Sequence, residues 1–96
     1  MQAQSLLIVR NPYAGRAPSE DTLRAAAAPL QADGIALEIQ ETKEPGHAQE
    51  IAAVAARNGV DVVAAAGGDG TVHEVVNGLA GSQSALAVIP SGTGRS

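Results

Sequence analysis

Hydrophobic positions along the chain follow two patterns, short apolar runs and longer stretches with helical periodicity between them. Apolar runs at residues 5–9, 60–66 and 85–89 predict three strands, of which the first is buried on both faces. Residues 35–42 alternate Ile35, Leu37 and Ile39 with alanine or polar residues, which is typical of a half-buried strand at a sheet edge. The pattern therefore predicts four strands.

Three intervening segments have the spacing of amphipathic helices. The first follows a plausible N-cap residue, Ser19, and stops at Gly34; Pro29 inside it predicts a kink or an early end, because proline removes a backbone hydrogen bond. The second begins at His47 and ends in a C-cap sequence at residues 57–59. In the third segment, the apolar residues that share one helical face are Val72, Val75, Val76 and Leu79.

Strands and helices alternate in the order β-α-β-α-β-α-β, which predicts a three-layer α/β/α fold. Such an order gives a parallel sheet with right-handed crossovers and helices on both faces. Ligands of these sheets bind at the carboxyl ends of the strands. The loops expected at that rim all contain glycine, and they read NPYAGR (residues 11–16), ETKEPGH (41–47), GGDGT (67–71) and PSGTG (90–94).

The GGDGT loop has the composition of an anion site. A strand that enters glycines and then a helix presents free backbone N–H groups and the positive end of the helix dipole. Gly67, Gly68 and Gly70 permit positive φ and let a phosphate approach the backbone without meeting a Cβ atom. A purely structural role is also available, because Thr71 and Glu74 fit a capping box and Asp69 fits a helix cap. A capping box alone does not explain three glycines.

Two common phosphate motifs do not fit these loops. A Walker A loop requires a lysine after its last glycine, and no lysine follows any glycine of this chain in that way. A dinucleotide-binding fingerprint requires glycines after the first strand, where this chain has NPYAG, and in the third loop His73 stands where the last glycine belongs.

Composition narrows the possible partners and the compartment. The net charge of −4 and the scattered basic residues argue against nucleic acid. The chain has no cysteine, no apolar run long enough to span a membrane and no secretory signal, so we expect a cytoplasmic protein. About half of the apolar residues are alanine, which predicts a thin core that relies on a partner surface or on more of its own chain.

The loops NPYAGR, GGDGTVHEVVNGL and PSGTG, in this order, resemble the diacylglycerol kinase catalytic-domain family. That family also includes sphingosine and ceramide kinases and bacterial lipid kinases, and the resemblance covers essentially the whole chain. GGDGT alone also marks NAD kinases and, with a final serine, phosphofructokinases, whereas the first and last loops favour the lipid kinases. The resemblance implies the ATP-binding lobe of a lipid kinase, with phosphofructokinase-like and NAD kinase-like α/β architecture and with ATP and Mg²⁺ as cofactors.

The resemblance also implies roles for single residues. Asp69 is the implied catalytic residue, placed to organise Mg²⁺ or the transferring phosphoryl group, while His73 is expected to be a structural residue of the rim. Thr42 lies in a match to the family's T-x-x-x-G-H-A sequence, and Thr93 lies in the fourth loop. The implied nucleotide-binding residues are Asn11, Pro12, Tyr13, Ala14, Gly15, Thr42, Gly67, Gly68, Asp69, Gly70, Thr71, Val72, His73 and Thr93.

The family usually continues GTG with asparagine and aspartate and then a β-rich lobe that carries the lipid site. This chain reads Arg95 and Ser96 and stops, so either the native sequence differs at this loop, or the chain is a fragment for which a cloning origin would explain Arg95 and Ser96. We expect the second, with residues 1–96 as a truncated nucleotide-binding lobe. We therefore expect this chain to bind nucleotide without appreciable kinase turnover. We expect the lipid acceptor to bind to the absent lobe, which would also make any peripheral membrane contact. An exposed sheet edge also predicts self-association.

Two alternatives remain open from the sequence. One is an NAD kinase-like lobe, which the IPSGTG sequence after the fourth strand disfavours. The other is a non-catalytic nucleotide-binding or interaction module, which the charge of −4 and the absent lobe favour.

Overall fold

The computed structural model describes residues 4–14 and 17–89 of the chain. Strands and helices alternate through these residues as the hydrophobic pattern predicts. Gly15 and Thr93, two of the predicted nucleotide-binding residues, lie outside the described residues, as does the PSGTG loop. The elements are β1 (Ser5–Arg10), α1 (Glu20–Ala32), β2 (Ala36–Glu41), α2 (His47–Arg57), β3 (Val62–Ala66), α3 (Asp69–Leu79) and β4 (Ala85–Ile89).

The strands form one parallel sheet in the order β2-β1-β3-β4. Helices α2 and α3 cover one face, where Leu7, Val9 and Val63 are buried. Helix α1 covers the other face, where Ile8 and Ala64 pack against Leu23. The predicted three-layer fold is therefore confirmed, and β2 is an edge strand as its alternating pattern predicts.

The two helices on the same face approach each other closely at Gly78. A Cβ atom at this position would overlap the backbone oxygen of Gln49 and would lie 2.8 Å from Cβ of Ala52. The predicted apolar face of α3 is wrong at Val76, which is 44% exposed. The helix turns Gly78 towards α2 instead, because glycine and alanine permit a closer approach than two larger side chains.

Helix α1 continues three residues beyond Pro29, so the predicted early end at that residue is wrong. Pro29 is exposed, and its ring costs the helix one backbone hydrogen bond without entering the core. The helix ends at Ala32 with Asp33 as its C-cap, and the φ of 93° at Gly34 allows a Schellman motif in which the N–H groups of Gly34 and Ile35 donate to the oxygens of Gln31 and Leu30. The predicted N-cap Ser19 and the predicted stop at Gly34 are confirmed.

The amino ends of β1 and β3 are joined by Asp61. Its Oδ2 accepts hydrogen bonds from the backbone N–H of Gln4 at 2.8 Å and of Ser5 at 3.1 Å. The Ser5 hydroxyl in turn accepts from the backbone N–H of Asp61 at 2.9 Å. This cluster fixes the sheet at the rim opposite the predicted site.

Within residues 17–89, the three helices are too short and too polar to cross a membrane.

Candidate functional site

A cleft of about 460 Å³ lies at the carboxyl rim of the sheet. The register of the sheet creates it, because Arg10, Glu41 and Ala66 end their strands side by side. The loops that leave these three strands consequently meet at one place, as predicted. The cleft is lined by Asn11, Tyr13, Ala14, Thr42, Lys43, Glu44, Pro45, Ala48, Gly68, Gly70, Thr71 and Glu74.

Helix α3 begins at this cleft without a side-chain cap. Its N-cap residue is Gly68, and no side chain of the described residues caps it. The first backbone N–H groups of an α-helix have no partner within the helix, so those of α3 remain available to a ligand. By contrast, the Ser19 hydroxyl caps α1, and the backbone N–H groups at the start of α2 donate to a carboxylate described below. The positive end of the α3 dipole therefore faces the cleft, with Asp69 as the acidic side chain in its first turn and with no side chain bonded to its first N–H groups.

The three glycines of the GGDGT loop have different physical roles. A Cβ atom on Gly67 would lie 2.6 Å from Oγ1 of Thr71 and 3.3 Å from Cβ of Asn11, so close packing requires glycine there. Cβ atoms on Gly68 and Gly70 would have nothing within 4 Å. None of the three has a positive φ, so the expectation that positive φ explains these glycines is wrong. Packing of the described residues does not require glycine at 68 or 70, whereas close approach of a ligand would.

A hydrogen bond between Asn11 and Thr71 joins the first loop to the third. Asn11 Nδ2 donates to Oγ1 of Thr71 at 3.3 Å, and Thr71 is buried. The backbone N–H of Asn11 donates to the oxygen of Ala66, while its Oδ1 accepts from the backbone N–H of Tyr13 at 2.9 Å. Asn11 thus shapes its own loop and fixes it against the start of α3.

The loop between β2 and α2, residues 42–46, forms the opposite wall of the cleft. Thr42 is buried, and its backbone N–H continues the sheet pairing by donating to the oxygen of Arg10 at 2.9 Å. Nδ1 of His47 accepts from the backbone N–H of Lys43 at 3.0 Å, which closes the loop from within. An imidazole nitrogen that accepts is unprotonated, so the neutral ring carries its proton on Nε2.

Glu74 does not form the predicted capping box with Thr71. Its Oε2 accepts from the backbone N–H of Gly46 at 3.0 Å, and its Oε1 accepts from that of Ala48 at 3.2 Å. The carboxylate therefore caps α2 from the neighbouring helix. The predicted cap by Asp69 is also wrong, because Asp69 is the first residue of α3 and makes no capping bond. The packing of α2 against α3 brings Glu74 within reach of a different helix end, and sequence spacing cannot show this.

The charges around the cleft are sparse. Lys43 is the one basic residue that lines it among the described residues, and Glu44 and Glu74 also line it. Arg10 ends β1, but its Nε donates to the oxygen of Pro18 at 2.7 Å and its Nη1 pairs with Glu41. An anion in this cleft would therefore rely on backbone N–H groups more than on cationic side chains. The described residues contain no group of three histidine or acidic side chains that could hold a metal ion by themselves.

The structure brings seven predicted nucleotide-binding residues to the cleft, and they are Asn11, Tyr13, Ala14, Thr42, Gly68, Gly70 and Thr71. Asp69 and His73 are exposed next to it, Pro12 is half-buried, and Val72 packs against the core on the α2 side. Sequence reasoning missed Lys43, Glu44 and Pro45, which line the cleft from the second loop. Their position directly after a strand, in a loop already expected at the rim, was the signal that could have identified them.

Comparisons with known proteins match nearly the whole chain to one protein family. The sequence profile described as "Diacylglycerol kinase catalytic domain" matches residues 5–96. "Sphingoid long chain base kinase 5" of Saccharomyces cerevisiae is 36% identical over 100 residues, covering 95% of this chain and 15% of that protein. "Probable lipid kinase YegS-like" of Stenotrophomonas maltophilia is 40% identical over 85 residues, covering 82% of this chain and 28% of that protein.

Solved structures agree with these sequence matches. A crystal structure described as a diacylglycerol kinase from Bacillus anthracis superimposes with a TM-score of 0.72 at 36% identity, covering 97% of this chain and 35% of that one. Across the three proteins the chain spans 15%, 28% and 35% of their lengths.

Proposed function

This chain belongs to the diacylglycerol kinase catalytic domain family, and we propose that it is the ATP-binding lobe of a lipid kinase. The named relatives are described as a lipid kinase and a sphingoid long chain base kinase, and the solved relative is described as a diacylglycerol kinase. The reaction would transfer the γ-phosphate of ATP to a hydroxyl group of a diacylglycerol-like or sphingoid lipid.

The uncapped start of α3 at the cleft is the observation that carries this proposal. Cβ atoms added at Gly68 and Gly70 would meet only open space there, and no described side chain bonds to the first N–H groups of the helix. A phosphate group would accept hydrogen bonds from these N–H groups and would be stabilised by the helix dipole. Phosphate binding by backbone N–H groups does not require a lysine. This fits the cleft, because it has so few basic residues.

The family resemblance implies which residues would contact each part of the nucleotide. Gly68, Gly70 and Thr71 would enclose the phosphates, and Asn11 with Tyr13 and Ala14 would hold the nucleotide from the first loop. Gly67 is buried outside the cleft lining, so it is a predicted nucleotide-binding residue on the resemblance alone. Thr42 would contact the nucleotide from the second loop. Pro12, Gly15, Val72, His73 and Thr93 remain predicted nucleotide-binding residues on the resemblance alone.

Asp69 would hold Mg²⁺ together with the phosphate oxygens of ATP. Mg²⁺ usually binds one or two carboxylates, several waters and substrate phosphates, so a single exposed carboxylate beside the phosphate site fits it. When bound, Mg²⁺ would neutralise charge on the phosphates. Asp69 would supply the protein carboxylate that holds Mg²⁺. Its catalytic role would be to keep the positive charge of Mg²⁺ beside the phosphates at the N-terminus of α3.

The lipid acceptor would bind elsewhere in a longer protein. The relatives extend far beyond the matched region, and phosphoryl transfer needs a group that orients the attacking hydroxyl. We propose that a second, β-rich lobe supplies the lipid site and any peripheral membrane contact. Residues 1–96 alone would then bind nucleotide and show no appreciable lipid phosphorylation.

Calorimetric titration of the chain with ATP, with and without Mg²⁺, tests the nucleotide site. Asp69→Ala should abolish the Mg²⁺-dependent part of ATP binding, whereas Asp21→Ala, which removes an exposed aspartate from the first turn of α1, should leave ATP binding unchanged. Each substitution should cost only the helix-dipole contribution, about 0.3–1 kcal/mol of stability. Equal ATP binding by both variants would refute the proposed role of Asp69.

Titration with NAD separates the second candidate from the first. An NAD kinase-like lobe is favoured by the GGDGT loop alone, and it would bind NAD as acceptor as well as ATP. We expect ATP binding without NAD binding. A folded chain that binds neither nucleotide would favour the non-catalytic interaction module.

A further inference from the structure

Glu74 connects the two walls of the cleft. It lies on α3, one turn after the phosphate-facing glycines, and its carboxylate crosses to the start of α2. Both of its oxygens are used there, because Oε2 accepts from the N–H of Gly46 and Oε1 from the N–H of Ala48. A half-buried carboxylate thus replaces the cap that α2 does not obtain from its own N-cap residue.

The loop that Glu74 holds has few other restraints. Residues 43–46 are all exposed, and Gly46 has a φ of 89°, a conformation that glycine adopts at little cost. Within the loop there are one further side-chain bond, from the N–H of Lys43 to Nδ1 of His47, and one backbone bond, from the N–H of His47 to the oxygen of Glu44 at 3.1 Å. Without the carboxylate, the start of α2 would lose two charge-assisted hydrogen bonds and the loop would sample more conformations.

We propose that Glu74 is a positioning residue for nucleotide binding, acting through the loop of residues 42–46 and not through contact with the nucleotide. The inference rests on the proposed function, because it concerns the cleft assigned there to ATP. The carboxylate fixes the distance between the loop on one wall and the phosphate-facing start of α3 on the other. Binding to a loop already held in place avoids the entropy cost of ordering it.

The substitution Glu74→Gln tests this role with almost no change in shape. The glutamine carbonyl oxygen can still accept one hydrogen bond, but its NH₂ group would face the second backbone N–H, and two donors cannot pair. We expect ATP to bind about tenfold more weakly, the order expected when binding must order about one additional backbone residue. Amide hydrogen exchange at Gly46 and Ala48 should accelerate in the same variant.

Glu50→Gln is the matched control. Glu50 is an exposed residue in the first turn of α2, so its substitution removes the same charge near the same helix end without touching the cap. We expect wild-type ATP affinity and wild-type amide exchange at Gly46 and Ala48. Equal weakening by both substitutions would attribute the effect to charge and overturn the positioning role.

A double-mutant cycle with His47→Ala separates positioning from direct contact. His47 closes the same loop from inside and does not line the cleft. If Glu74 acts through the loop, the losses of ATP affinity in Glu74→Gln and His47→Ala should be less than additive. Additive losses would overturn the inference, since they would mean that Glu74 acts on the nucleotide independently of the loop.

The wild-type titration distinguishes failure of this inference from failure of the proposed function. Unchanged ATP affinity in Glu74→Gln, beside an ATP-binding wild-type chain, would overturn the positioning role alone. A folded wild-type chain that does not bind ATP would overturn the proposed function and this inference with it.

Discussion

Replacing Gly70 with alanine should separate the stability of this protein from its ligand binding. Gly70 is the second residue of α3, its φ is not positive, and an added Cβ atom would have nothing within 4 Å. Alanine is a better helix former and restricts the unfolded chain, so a compatible Gly→Ala change stabilises a protein by about 0.4–1 kcal/mol. Gly70→Ala should therefore raise the free energy of unfolding.

The same methyl group should weaken nucleotide binding. It would project from the start of α3 into the open space that a phosphate needs to reach the first backbone N–H groups. We expect at least a tenfold loss of ATP affinity, which corresponds to about 1.4 kcal/mol. A variant that is more stable and binds less tightly would indicate that glycine is present at this position for the ligand.

Gly67→Ala provides the contrasting case within the same loop. Its Cβ atom would lie 2.6 Å from Oγ1 of the buried Thr71, so the start of α3 would have to move. Forcing an extra methyl group into a packed site typically costs about 1–3 kcal/mol. Gly67→Ala should lower stability, and any loss of ATP binding there would follow from the structural change.

Urea unfolding followed by circular dichroism, combined with calorimetric titration of ATP, measures both quantities for the two variants. Wild-type ATP affinity in a stabilised Gly70→Ala variant would refute the placement of the phosphates at the start of α3. A Gly70→Ala variant destabilised by more than about 1 kcal/mol would contradict the open space and the unstrained backbone at Gly70.

Two further substitutions test the packing that supports the site, each by its urea unfolding curve. Gly78→Ala should destabilise the chain by about 1–3 kcal/mol, because its Cβ atom would overlap α2 at Gln49 and Ala52; a stabilised variant would contradict the close approach of the two helices. Asp61→Ala should cost about 2 kcal/mol, because it leaves the N–H groups of Gln4 and Ser5 without their charged acceptor. ATP affinity should survive Asp61→Ala, since that residue lies at the opposite rim, and a loss would contradict this separation.

The order of strands and helices could be predicted from the sequence because each element carries its own local pattern. The alternation of Ile35, Leu37 and Ile39 identified the edge strand, and Ser19 and Gly34 marked the ends of α1. The rule that ligands bind at the carboxyl ends of parallel strands then placed the glycine-containing loops at one rim. Local patterns and one topological rule therefore sufficed for the fold and for the location of the cleft.

The tertiary structure decided which residues form hydrogen bonds or steric contacts with one another. The spacing of Thr71 and Glu74 favoured a cap within α3, but the approach of α2 at Gly78 brings the Glu74 carboxylate to another helix. Likewise, three similar glycines differ in role because Thr71 and Asn11 crowd Gly67 alone. Hydrogen bonds and steric contacts between residues far apart in the chain depend on distances that only the packed helices and sheet determine, so they lie beyond what sequence spacing can predict.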